Sequence, residues 1–191
     1  MRTGRLEAFS DGVIAILITI MVLELHAPEG SDLAALRPVL PSLLAYLLSF
    51  VYLGIYWNNH HHMLHATRSV NGAILWANLH LLFWLSLIPF TTSWLAESHG
   101  APWPNALYGI VLLFAGTAYR LLQRAIIRHH GHDSTLAAAV GRDLKGLLSV
   151  AGYAAAVALA FVAGEISQAI YVIVALIWVV PDRRIEAMLR D

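Results

Sequence analysis

The chain has 191 residues, 59% hydrophobic and 13% charged, with a mean hydropathy of +0.66. A water-soluble domain usually carries about 25% charged residues, so half that fraction calls for an apolar solvent. Twelve basic and twelve acidic residues cancel to a formal net charge of zero, which argues against a nucleic-acid binder, and the absence of cysteine excludes disulfides and thiolate metal sites.

Membrane-spanning helices need roughly 17 to 25 mostly apolar residues. The first such window runs from Leu6 to Leu25; it lacks a small-residue cleavage site and closes on Glu24-Leu25-His26, so it reads as a retained helix rather than a signal peptide. The second spans Val39 to Trp57, opened by Pro38 and Pro41, which suit a first helical turn. The third covers Ala73 to Ala96, and Pro89 predicts a kink in it because proline removes one backbone donor. After Pro102 and Pro104 the fourth runs to Leu122, with a polar extension that would carry Arg120, Arg124 and Arg128 on one stripe. The fifth, Leu144 to Ala163, contains Gly146, Gly152, Ala154, Ala155 and Ala156, small residues that permit close helix contact. The sixth, Ile166 to Val180, is short and follows the tight Gly164-Glu165 turn, which makes the last two windows a hairpin. The expected fold is all-α: one polytopic membrane domain over residues 1–191 with six transmembrane helices.

Basic residues in short loops set orientation. With the N-terminus inside, Arg2, Arg5, Arg68, Arg120, Arg124, Arg128, Arg142, Lys145, Arg183, Arg184 and Arg190 are all internal, eleven of the twelve; only Arg37 is external. The outer segments hold Glu24, Glu29, Asp32, Glu97 and Glu165. Both termini are therefore expected in the cytoplasm.

The first window carries the unusual chemistry. Asp11 and Ser10 lie near its inner end, and a carboxylate at that depth must find partners or water. At about 100° per residue, Asp11 sits about 140° from Ile16, and Ser10 about 120° from it on the other side. Phe9, Gly12, Ile16, Thr19 and Leu23 instead share one line. The polar pair and this stripe face different surroundings. Either the stripe is ordinary lipid-facing or core surface with Asp11 as an anchor, or it lines a pore made by several copies; periodicity does not separate the two.

The run Arg5-x-x-x-Phe9-Ser10-Asp11-Gly12 resembles the R-x-x-x-F-S-D-G signature that opens the first helix of the transmembrane-protein-175 family of potassium channels. Tyr56-Trp57-Asn58-Asn59-His60-His61 is similar to that family's W-x-x-H-H segment, and Asn78-Leu79 and Ile88-Pro89-Phe90-Thr91 are similar to its N-L and L-P-F-x-T stretches. The resemblance covers the first three windows; the last three agree in hydropathy and length. It implies a potassium-permeable cation channel without a T-V-G-Y-G filter, whose first helices line a central pore. Single-repeat prokaryotic members form tetramers, so a homotetramer in a prokaryotic plasma membrane is implied. By position, Ile16 resembles the family's hydrophobic constriction, with Thr19 and Leu23 following along the pore. Arg5, Phe9, Ser10, Asp11 and Gly12 would then form a structural network with Trp57, His60, His61 and Asn78. The expected partners are further copies of the chain, the bilayer and monovalent cations including K+, with no cofactor, no metal and no catalytic residue.

Two rival functions stand beside this one. Asp11 as an intramembrane carrier would suit a proton-coupled transporter, although one carboxylate is a thin relay and inverted repeats are not evident. His60, His61, His62 and His65 would suit a membrane metalloenzyme, since His61 and His65 at i, i+4 spacing match zinc. A single cluster more simply makes a polar helix end that meets water and the first-helix network. His80 stands alone, and His129, His130 and His132 are expected in an inner loop.

Overall fold

A computed structural model describes residues 3–98, 100–131, 136–137 and 143–179. The described chain is all-helical: α1 (Gly4–Leu23), a 3-10 turn (Leu33–Leu36), α2 (Leu40–His65), α3 (Gly72–Ser86), α4 (Ile88–Glu97), α5 (Pro102–His130), α6 (Leu144–Leu159) and α7 (Gly164–Val179). Since α3 and α4 are two halves of one rod, these make six apolar passages. Four are long and apolar enough to cross a membrane, and α6 and α7 are shorter apolar helices. The expectations placed on Arg2, His132, Arg142, Val180, Arg183, Arg184 and Arg190 lie outside the described residues.

Several boundaries differ from those expected. The second helix does not stop at Trp57 but continues to His65. Its backbone bonds remain internal whatever the side chains, so a polar end costs the helix little once it leaves hydrocarbon. The fourth continues past Leu122 as the expected polar extension, but His129 and His130 lie on its last turn, not in a loop. The fifth ends at Leu159, short of Ala163, because Ala160 to Ala163 form a turn whose amides bond back to Ala156, Ala158 and Leu159. The kink falls at Leu87, two residues before Pro89. Without an N–H, Pro89 offers nothing to the carbonyl one turn back, and Leu87 N–H turns to Trp84 and Leu85 instead. The start of α4 is tied down by its own side chains: Thr91 and Thr92 hydroxyls donate to the Ile88 carbonyl at 3.1 and 2.7 Å.

Helix α5 is the central post. It packs on α3, α4, α6 and α7, while α1 lies on the opposite flank against α2, α3 and α4. Hydroxyl groups tie the interior together. Ser49 on α2 meets Thr92 Oγ1 at 2.6 Å and Tyr108 Oη at 3.0 Å, joining α2, α4 and α5. Tyr52 donates to the Tyr171 carbonyl at 2.6 Å, and Tyr171 donates to the Asn105 carbonyl at 3.0 Å. Within a bilayer each such bond contributes about 0.6 kcal/mol on average, so the set fixes mutual positions more than it adds stability.

The α6–α7 hairpin is clasped at its turn. Asn105, buried at the start of α5, donates from Nδ2 to the Gly164 carbonyl at 3.1 Å and accepts from Ser167 Oγ at 3.4 Å. Close approach below this point depends on Gly109. A Cβ there would collide with the Tyr171 hydroxyl and lie 2.9 Å from Val157 Cγ2. Gly109→Ala is therefore expected to destabilise the fold by about 1–3 kcal/mol, the usual cost of overpacking. Thermal melting of the detergent-solubilised protein measures it, and an unchanged midpoint would mean that this contact is slack.

Candidate pore helix and its anchoring network

Helix α1 presents two unlike faces. Leu6, Ser10, Ile14, Leu17 and Met21 recur at intervals of three and four and are buried against α2, α3 and α4. Phe9, Gly12, Ile16, Thr19 and Leu23 run along the other side and are exposed. The contrast is sharp: Ile14 is 1% exposed, while Ile16, two residues on, is 57% and Leu23 79%. Among the described residues, and apart from α1's own backbone, no atom lies within 4 Å of where a Gly12 Cβ would stand, so the face is open at that point. Thr19 donates its hydroxyl proton to the Ile16 carbonyl at 2.9 Å. The oxygen lone pairs are left free on the exposed side.

Behind that face lies a directional chain of hydrogen bonds. Ser10 donates to the Leu6 carbonyl at 2.8 Å. Asn78 Nδ2 donates to Ser10 Oγ at 2.9 Å, and Asn78 Oδ1 meets His60 Nε2 at 2.7 Å. Because an amide oxygen only accepts, Nε2 carries the His60 proton. Ser10, His60 and Asn78 are all 0% exposed. Three helices thus meet at one buried point.

A second, more exposed ladder runs beside it. Trp57 Nε1 donates to Asp11 Oδ1 at 3.1 Å, and His61 Nδ1 lies 3.0 Å from Glu7 Oε1. One turn along α1 matches one turn along antiparallel α2, so the two rungs are in register. The Trp57 and His61 rings stack at 6.1 Å between centroids.

Of the residues singled out in the sequence, Ser10, Asp11, Trp57, His60, His61 and Asn78 come together in these two sets. Arg5, Phe9 and Gly12 do not; they stand exposed on α1. Sequence reasoning missed Glu7, although its spacing to Asp11 repeats the Trp57–His61 spacing and signals the second rung. His62 and His65 take no part in either set, and His65 stacks on His61 at 6.1 Å. Among the described residues no three His, Asp or Glu side chains converge as a metal site. His80 is not alone, since it accepts from Trp84 Nε1 at 2.9 Å.

The family model described as endosomal/lysosomal potassium channel TMEM175 matches residues 5–89, which span α1 to the start of α4 and hold both rungs. A potassium channel from Chryseobacterium sp. (strain P1-3) is 53% identical over 191 residues, covering 100% of both chains. The chain belongs to the TMEM175 family. A Streptomyces collinus potassium channel is 34% identical over 188 residues, covering 91% of this chain and 90% of its own. The crystal structure of a lysosomal potassium-selective TMEM175 homolog from Chamaesiphon minutus superposes with a TM-score of 0.79 at 28% identity. That match covers 94% of this chain and 97% of the other, so it extends the likeness to the last helices, where sequence motifs are absent. The chain is an all-α, multi-pass membrane protein.

Proposed function

We propose that this TMEM175 protein is the subunit of a potassium-permeable cation channel in which α1 helices from four identical chains surround the pore. The observation that carries the reading is the exposed Ile16–Thr19–Leu23 line, backed on the far side of α1 by buried hydrogen bonds to α2 and α3. Other helices also leave apolar side chains bare, Leu148 and Leu176 among them; what favours the pore for α1 is the Thr19 hydroxyl on its exposed line together with membership of the TMEM175 family. Rings of Ile16 and Leu23 would gate by narrowing and dewetting. Four Thr19 oxygens, their protons already committed to backbone carbonyls, would replace part of a cation's water shell. Potassium sheds that shell more readily than sodium, so a potassium preference follows.

In this reading both termini face the cytoplasm and the channel sits in a plasma membrane. That orientation is supported by Arg68 in the α2–α3 turn and by Arg120, Arg124 and Arg128 on the last turns of α5. Glu24, Glu29 and Glu97 then border an outer cleft of about 390 Å³ beside the end of α1, where they would enrich cations. The decisive measurement is the reversal potential of the purified protein in a planar bilayer with potassium opposite sodium. It should move toward the potassium equilibrium potential. Thr19→Val should lower the potassium-to-sodium ratio by about twofold or more, the loss of a fraction of a hydrogen bond per subunit. Proton movement coupled to a solute, with no uncoupled potassium current, would replace this reading with the transporter.

A further inference from the structure

The turn that joins α2 to α3 is gripped by the last two residues of α5. His130 Nδ1 lies 3.0 Å from the Ile126 carbonyl, and its Nε2 receives the Ser69 backbone N–H at 3.3 Å. A carbonyl only accepts and an amide N–H only donates, so His130 must be neutral with its proton on Nδ1. His129 Nε2 lies 3.1 Å from Ser69 Oγ, and its Nδ1 lies 3.2 Å from Asn71 Nδ2. Asn71 cannot flip to change this, because its Oδ1 already caps α3 by accepting from Ile74 N–H at 3.0 Å. His129 is therefore neutral as well, with its proton on Nε2. Two adjacent histidines hold the same turn in opposite tautomers.

From this geometry we propose that His129 and His130 form an acid-sensitive latch on the α2–α3 turn. Adding a proton to either ring sets N–H against N–H, against Ser69 in one case and Asn71 in the other. The surrounding charges favour the same direction. Arg68 in the turn, Arg124 and Arg128 on α5, and His62 and His65 at the end of α2 are cationic or neutral. Among the described residues, the carboxylates in ion pairs are Glu7, with His61, and Asp143, with Arg120. The sign follows directly. The closed latch needs unprotonated acceptors, so it is complete while both rings are neutral and is lost as acid protonates them. The Glu7–His61 rung works the other way, since a cationic His61 draws Glu7 closer; release of the turn cannot come from there. The latch has reach because the turn runs directly into α2 and α3, whose His60 and Asn78 hold Ser10 on α1. Acid on this face would loosen the frame behind the exposed α1 stripe.

Hydrogen–deuterium exchange of the purified protein tests the latch without reference to ion flux. After correction for intrinsic rates, amides of residues 66–72 should exchange severalfold faster at pH 5.5 than at pH 7.5. His129→Asn with His130→Gln keeps an acceptor near each position but none that gains a proton, and should abolish the pH effect. Equal protection of the wild type at both pH values, or an undiminished pH effect in the double variant, would overturn the proposal. Nitrogen-15 imidazole shifts of the wild type give an independent check should that variant fail to fold. They should show His129 and His130 as opposite neutral tautomers at pH 7.5, and a shared tautomer or a cationic ring there would refute the latch.

Discussion

Asn78→Leu should be among the most damaging single changes in the chain, lowering stability by about 1–3 kcal/mol, the cost of leaving a buried donor unpaired. The reason lies in its neighbour. His60 is fully buried, its Nδ1 has no hydrogen-bond partner among the described residues, and Asn78 Oδ1 supplies the one bond its ring makes. Leucine matches asparagine in size, so the loss is one of polarity rather than volume. Ser10 suffers less, because its hydroxyl still donates to Leu6. A midpoint lowered by roughly 3–10 °C in detergent is expected. The double variant His60→Phe with Asn78→Leu should recover part of the loss, since replacing both partners by apolar groups removes the orphan. If the double variant is worse by the sum of the single losses, His60 and Asn78 are not energetically coupled and the anchoring role of this point is wrong.

Ile16→Ala and Leu23→Ala should do the reverse, leaving stability within about 0.5 kcal/mol while changing permeation. Both side chains are largely exposed in the subunit, so truncation opens no cavity. Four-fold repetition would multiply each truncation around the pore, and unitary conductance should rise severalfold, with potassium preference falling as the constriction widens. Ile14→Ala provides the contrast. At 1% exposure it sits in the core, so it should cost about 2–5 kcal/mol and leave the conductance of whatever assembles unchanged. Wild-type conductance and selectivity in both Ile16→Ala and Leu23→Ala, with assembly intact, would remove α1's exposed face from the pore.

How far these features can be read from residues depends on which physical signal encodes them. Hydropathy located all six passages, because hydrocarbon thickness demands length and leaves a coarse imprint. The two faces of α1 follow from the angle between Ser10–Asp11 and Ile16. The ends of α2 and α5 do not, because residues such as Asn58 to His65 look like loop in composition while their backbone remains helical. Sequence could not place His60 apart from His61, His62 and His65; only the packing of α3 turns one imidazole inward and leaves its neighbours toward water. The hydroxyl ties were also hidden. Ser49, Tyr52 and Tyr56 recur along one side of α2, a pattern that marks a polar seam, yet nothing in it names Thr92, Tyr108 or Tyr171 as partners. The latch escaped for the same reason, since its two halves are separated by 60 residues along the chain.

The short hairpin has a bearing on the surrounding lipid. With 16 residues, α6 is about 24 Å long, some 6 Å less than a typical hydrocarbon core of about 30 Å. Its turn stays level with the first turn of α5, where the Asn105 clasp on Gly164 and Ser167 satisfies the turn's polar groups, so the shortfall falls at the opposite end, where Asp143 pairs with Arg120 while α5 runs on to His130. Lipids along this side must thin or tilt to meet it, at a cost of fractions of a kcal/mol for each ångström. The subunit is thus lopsided toward its membrane, with full-thickness bilayer beside α2 and a compressed annulus beside α6. Bilayer thickness becomes a mechanical variable to which one flank of the protein is more exposed than the other.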